Sequence, residues 1–139
     1  MARLLAYTSS TPGHVFPPVG MLLELQRRGH EIHVRTQVPD VERLRALGFD
    51  VAPVDARIEE IEFDDWRARS QLNAMRRIVT LYAEYAELEI PDVRLAIEEV
   101  QPDAVIMDVQ CEGGGYVAAA SGLPWAQYCP YPPDRKSVV

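Results

Sequence analysis

Cysteine is scarce in this chain: Cys111 and Cys129 are the only two among 139 residues. They are too few for a disulfide framework and lack the paired spacing of a metal site, so free thiols in a reducing compartment are expected. Long apolar runs are missing too. None reaches the ~18 residues of a membrane span, and Met1-Ala-Arg leads into an apolar strand without a signal-peptide cleavage pattern, so a cytoplasmic location is expected. Basic residues are outnumbered, with Lys+Arg 14 against Asp+Glu 21 and a net charge of -7. Such a surface repels phosphate backbones and no basic cluster offsets it, which excludes nucleic acid as an expected partner.

Several chemical signatures are absent as well. There is no Gly-x-Gly-x-x-Gly, no Walker loop and no Gly-x-Ser-x-Gly elbow, so a classical dinucleotide site, a P-loop and a hydrolase nucleophile are not indicated. His30 and His33 are three apart on a strand and point to opposite faces, and no His-Glu-x-x-His helix occurs. No metal or cofactor is expected. The carboxylates Glu59, Glu60, Asp64 and Asp65 read as a solvated acidic face rather than a glycosidase pair.

What is present is the composition of a folding chain, 47% hydrophobic and 25% charged. Arg3–Tyr7 is a short apolar strand entering the turn-forming run Thr8 to Gly13. A helix over 18–28 follows, with Val19, Leu22, Leu23 and Leu25 on one face and Gly29 as its C-terminal cap. Glu31–Thr36 alternates as a second strand, Asp40 is expected to cap a short helix through Leu47, and 49–54 reads as a third strand. After an acidic surface connection over 55–70, Leu72, Met75, Ile78, Val79, Tyr82 and Tyr85 keep a helical period. Pro91 is expected to begin a separate helix through Val100. Ala104–Met107 is a fourth strand, Gly113 opens a helix through Ser121, and Trp125–Tyr128 follows Gly122-Leu-Pro124. Pro130 to Lys136 is expected to be a loop. Alternating strands and helices predict one α/β domain over 1–139, Rossmann-like, with a doubly wound parallel sheet and right-handed crossovers.

In such a sheet the first and fourth strands are neighbours, and ligands bind beyond their C-terminal ends. His14 lies just past the first strand and Asp108 ends the fourth. A histidine can take a proton from a hydroxyl near neutral pH, and a carboxylate on its other nitrogen orients it. The bland alternative makes His14 a polar loop residue and Asp108 a helix cap.

Thr11-Pro-Gly-His-Val-Phe-Pro17, the helix after it, Arg28-Gly-His-Glu-Ile-His-Val-Arg-Thr36, Pro102-Asp-Ala-Val-Ile-Met-Asp108 and Ala118-Ala-Ala-Ser-Gly-Leu-Pro124 resemble, in order and spacing, the N-terminal half of family-1 GT-B glycosyltransferases. The resemblance covers nearly the whole chain. It implies an inverting, metal-independent transfer of a sugar from a nucleotide diphosphate sugar to a hydroxyl of a small apolar natural product, with His14 as base and Asp108 as its acidic partner. The acceptor cleft it implies is lined by the first loop, the middle region and the later strand ends. Gly13, Phe16, Trp66, Met75, Tyr82, Tyr85 and Tyr128 are the candidates for its walls, although a Met or Tyr at helical spacing packs against the sheet more often than it meets a ligand. Gly113 to Gly115 could present backbone amides to a ligand or simply form a turn, and Cys111 reads as an inert thiol. The family's nucleotide-binding C-terminal domain has no counterpart here, so a nucleotide-sugar donor and a complementary polypeptide are the implied partners and the isolated chain is expected to be inactive. A stand-alone ligand-binding or accessory protein of the same fold is the alternative.

Overall fold

The computed structural model describes residues 1–8, 12–62, 67–68 and 70–131, apart from the side chain of Pro12. The elements run β1 (Arg3–Tyr7), α1 (Pro12–Val15), α2 (Val19–Arg27), β2 (Glu31–Thr36), α3 (Val38–Arg45), β3 (Asp50–Pro53), α4 (Ala56–Glu59), α5 (Gln71–Val100), β4 (Ala104–Asp108), α6 (Glu112–Ala120) and β5 (Trp125–Tyr128). All five strands pair in parallel, in the order β3-β2-β1-β4-β5. The expected doubly wound, Rossmann-like sheet is therefore present.

Strand alternation divides the core into two layers. Leu4, Ala6, Ile32, Val34 and Ile106 face Val15, Leu22, Val41 and Leu44. Tyr7, Val105 and Met107 face Ile58, Leu81, Tyr85, Val93 and Val117 on the other side. Only Leu22 of the expected stripe on α2 is fully buried, with Val19 and Leu25 packed partly against the core and Leu23 turned to solvent. A nine-residue helix lying on a narrow sheet has room to bury little more than one row.

Two expectations about helices are corrected. Asp40 lies inside the first turn of α3, buried and bonded to Arg43, while Gln37 occupies the cap position without a side-chain bond. Pro91 begins no new helix: α5 runs unbroken for 30 residues, capped at the start by Ser70 and ended by Gln101 at φ 49°. A proline inside a helix removes one backbone donor, and the flanking turns of α5 are held by packing on the sheet and α6. At 1.5 Å per residue this helix is about 45 Å long, whereas a five-residue strand covers about 17 Å. Its first turns therefore outrun the sheet, which leaves Leu72, Met75 and Val79 exposed instead of in the core.

Candidate functional site

The C-terminal ends of β1 and β4 lie side by side, with Tyr7 in register with Met107. The chain leaving β1 makes the short turn α1, whose Val15 is anchored in the core, and this directs His14 inward over the end of β4. Asp108 closes β4, and its register partner on β5 is Tyr128. The topology thus brings residues 14, 108 and 128 to one point.

His14 Nδ1 lies 2.8 and 2.9 Å from the two carboxylate oxygens of Asp108. An ionised carboxylate only accepts, so this contact places the imidazole proton on Nδ1 and leaves the Nε2 lone pair free to accept. Asp108 is completely buried and also accepts from the Gln110 backbone N–H at 2.8 Å and the Tyr128 hydroxyl at 3.0 Å. That hydroxyl also lies 2.7 Å from the His14 carbonyl oxygen, sharing its proton between the two acceptors. Burial and the adjacent Asp108 carboxylate push the Tyr128 phenol far above the usual tyrosine range, so it remains a donor. His14 is held at both ends, its ring by Asp108 and its backbone by Tyr128. The bland reading of Asp108 is half correct, since it also accepts from the turn before α6, but it takes His14 at the same time.

On the open side of the ring, the Tyr131 hydroxyl lies 2.5 Å from Nε2, and the Gln110 side-chain amide donates to the same hydroxyl at 3.1 Å. The two rings meet edge to face, 5.1 Å between centroids at 74°. This contact leaves His14 only 2% exposed.

The expected wall residues divide. Gly13 is exposed, with no atom within 4 Å of where a side chain would begin, and Phe16 is exposed two residues beyond His14. Tyr82 is half-buried beside the site. Its hydroxyl is pushed up by burial and then by Tyr131, Glu112 and Asp108 nearby. Tyr85 belongs to the core instead, its hydroxyl donating to the Ile61 carbonyl at 3.4 Å. Met75 is 60% exposed on the first turns of α5, outside the core. Tyr128 is a polar tether rather than an apolar wall. Trp66, Asp64 and Asp65 lie outside the described residues, as do Ser9 to Thr11 and the end of the expected C-terminal loop.

Gly113 and Gly114, after β4, serve packing. A side chain at Gly113 would start 2.5 Å from the Ala86 carbonyl oxygen of α5, and one at Gly114 would start 2.3 Å from Met107. Their amides are taken by Glu89, whose carboxylate accepts from Gly113 at 2.9 Å and Gly114 at 3.4 Å. Burial raises the Glu89 carboxyl to about 7 despite these bonds. The buried Cys111 thiol also bonds to Glu89, and burial lifts it well above the ordinary thiol range, which keeps it inert. A separate groove of about 500 Å³ between α5 and α6, lined by Ile90, Arg94, Ile97, Tyr116 and Val117 among others, contains none of the expected site residues.

Gln110, Tyr131 and Glu89 escaped sequence reasoning. Tyr131 carried a faint signal, a lone aromatic in a proline-rich segment after β5, whereas nothing local in α5 distinguishes Glu89 from its exposed acidic neighbours. Among the described residues, no cluster of His, Cys, Asp and Glu could hold a metal and no helix is long and apolar enough to cross a membrane.

The chain, with a Rossmann-like parallel sheet in this order, matches the N-terminal part of natural-product GT-B glycosyltransferases. No family model matches the chain. An elloramycin glycosyltransferase, ElmGT of Streptomyces olivaceus, is 30% identical over 139 aligned positions that take in 91% of this chain and 36% of that protein. The solved structure of CalG4, the calicheamicin glycosyltransferase, superposes with a TM-score of 0.74 at 23% identity, covering 91% of this chain and 32% of that one. That of the Streptomyces sp. SF2575 glycosyltransferase SsfS6 complexed with thymidine diphosphate gives 0.69 at 24%, covering 91% and 38%. The chain thus spans about a third of the length of the relatives it matches.

Proposed function

We propose that this chain is the acceptor-binding, base-carrying half of an inverting, metal-independent glycosyltransferase that acts on a small apolar natural product. The observation that carries the reading is the buried His14–Asp108 pair, 2.8 Å apart at the switch point of the sheet. With Nδ1–H bonded to Asp108, Nε2 accepts the proton of the acceptor hydroxyl. The oxygen then attacks the anomeric carbon of the sugar, and the nucleoside diphosphate leaves from the opposite face. The carboxylate stabilises the imidazolium so formed. Gly13, Phe16 and Tyr82 are assigned to the acceptor walls in this reading. The nucleotide sugar is held by a second domain of the kind carried by the longer relatives, so both turnover and donor selection need that domain.

The test is turnover of the polypeptide comprising this chain and a nucleotide-binding half, with nucleotide sugars and a panel of apolar hydroxylated acceptors, followed by mass spectrometry. His14→Ala is expected to lower the rate by about 10²-fold or more while acceptor affinity changes little. A rate equal to that of the unaltered protein would overturn the assignment.

A further inference from the structure

The Tyr128 hydroxyl stands between two acceptors, 2.7 Å from the His14 carbonyl oxygen and 3.0 Å from Asp108 Oδ2. On the other side the Gln110 backbone N–H donates to Asp108 Oδ1 at 2.8 Å. Each carboxylate oxygen therefore takes a donor besides His14. A carboxylate gripped at one oxygen alone can turn about its Cβ–Cγ bond, because that terminal torsion is broad. Gripped at both, it presents both to the imidazole, with Nδ1 at 2.8 and 2.9 Å. The strand order sets β4 between β1 and β5, and Tyr128 is in register with Asp108. Its side chain must pass Asp108 to reach the turn after β1, a reach of roughly two strand spacings that a long rigid side chain with a donor at its tip can make. The ring packs partly against the apolar cluster that contains Val15 and Ile106, which fixes where the tip lies.

We infer that Tyr128 is a positioning residue for the base: one hydroxyl, bonded to the Asp108 carboxylate and to the His14 backbone, sets the carboxylate plane and the place of the imidazole together. The inference rests on the transferase reading and adds to it a group that acts through His14 rather than on a substrate. Nε2 must meet an acceptor hydroxyl in line with the sugar, and a misplacement of about 1 Å at such a centre can cost about 10²-fold in rate. Without the hydroxyl, Asp108 keeps its Gln110 bond and can rotate, and the His14 backbone loses its link to β5. Both freedoms act on the same ring.

Tyr128→Phe keeps the packed ring and removes only the hydroxyl. In the 139-residue chain the readout is the His14 Nδ1–H proton, followed by NMR. Its exchange with water is expected to quicken about tenfold once Asp108 can turn away. An exchange rate and chemical shift equal to the parent's would overturn the proposal. In the polypeptide that also carries a nucleotide-binding half, kcat should fall about tenfold while KM for acceptor and donor stays within about twofold. An unchanged kcat would overturn the proposal, and a raised acceptor KM beside it would return Tyr128 to the cleft wall expected from the sequence. One measurement needs no variant to fold. In the unaltered chain the Tyr128 hydroxyl proton should exchange far more slowly than that of Tyr116, which is 72% exposed. Equal exchange at the two hydroxyls would overturn the proposal. No substrate enters the exchange measurements, so a failed positioning role is distinguishable from a failed transferase reading, which turnover of the His14 variant decides.

Discussion

Two buried carboxylates flank the same turn, Asp108 at the end of β4 and Glu89 on the face of α5 beneath the start of α6, and their surroundings differ in one decisive respect. Asp108 spends its oxygens on His14 and Tyr128 as well as a backbone amide, so its charge is directed toward the open end of the sheet. Glu89 accepts from two glycine amides and the Cys111 thiol and faces only protein. Burial dominates there and lifts its carboxyl to about 7. A carboxylate paired with a titratable partner at a crevice can support proton transfer, whereas one walled in by α6 can only hold that helix against α5. A raised pKa by itself does not distinguish these situations.

The sharpest way to break the comparison is Asp108→Asn. An asparagine turned to keep its amide away from the backbone donors presents N–H where His14 needs an acceptor, which forces the ring proton onto Nε2 and removes the base. Turnover of the two-domain polypeptide should fall by about 10²-fold. Glu89→Asp or Glu89→Gln should leave turnover within a few-fold by the same assay, because no reacting atom contacts that side chain.

Glu89 should show itself in the pH dependence of stability instead. Its folded pKa of about 7 exceeds the ordinary 4.5. Between these values the folded state keeps a proton that the unfolded chain has released, so stability is full below the lower value and falls as pH rises to the upper one. The gap corresponds to about 3 kcal/mol. Urea unfolding at intervals from pH 4.5 to 7.5 should show this decline in the parent and a flatter curve in Glu89→Gln. A parallel decline in both would exclude Glu89 as the source.

A smaller effect probes the close approach that walls Glu89 in. Gly113→Ala sets a methyl group 2.5 Å from the Ala86 carbonyl oxygen, so α6 must shift away from α5 at a cost of about 2 kcal/mol. Thermal unfolding should register that loss. Gly13→Ala, where a side chain would meet open space, should cost much less.

Most of the sheet could be read from the chain because short apolar strands, turn formers and helical periods are local signals. That pattern alone puts His14 and Asp108 at neighbouring strand ends, since parallel order constrains where the loops after β1 and β4 emerge. The wall residues were less legible. Met75 and Tyr85 share one helical stripe, yet one is in solvent and the other in the core, because periodicity assigns a face without stating how far the sheet beneath it extends. Pro91 misled for a related reason, as a local breaker loses to a helix already held by packing on both sides of it.

Strand order, the switch point and the pairing of a histidine with a carboxylate were thus determined by the sequence alone, through short-range periodicity and the handedness of crossovers. Which hydroxyls complete that pair was decided only by the tertiary structure. Tyr128 reaches Asp108 through the register of β5 against β4, Tyr131 reaches Nε2 through the path of the chain after β5, and Glu89 is buried because α6 lies across it. Each of these contacts joins residues far apart in the chain, and hydrogen-bond geometry at 3 Å depends on the packing of whole elements rather than on any local pattern.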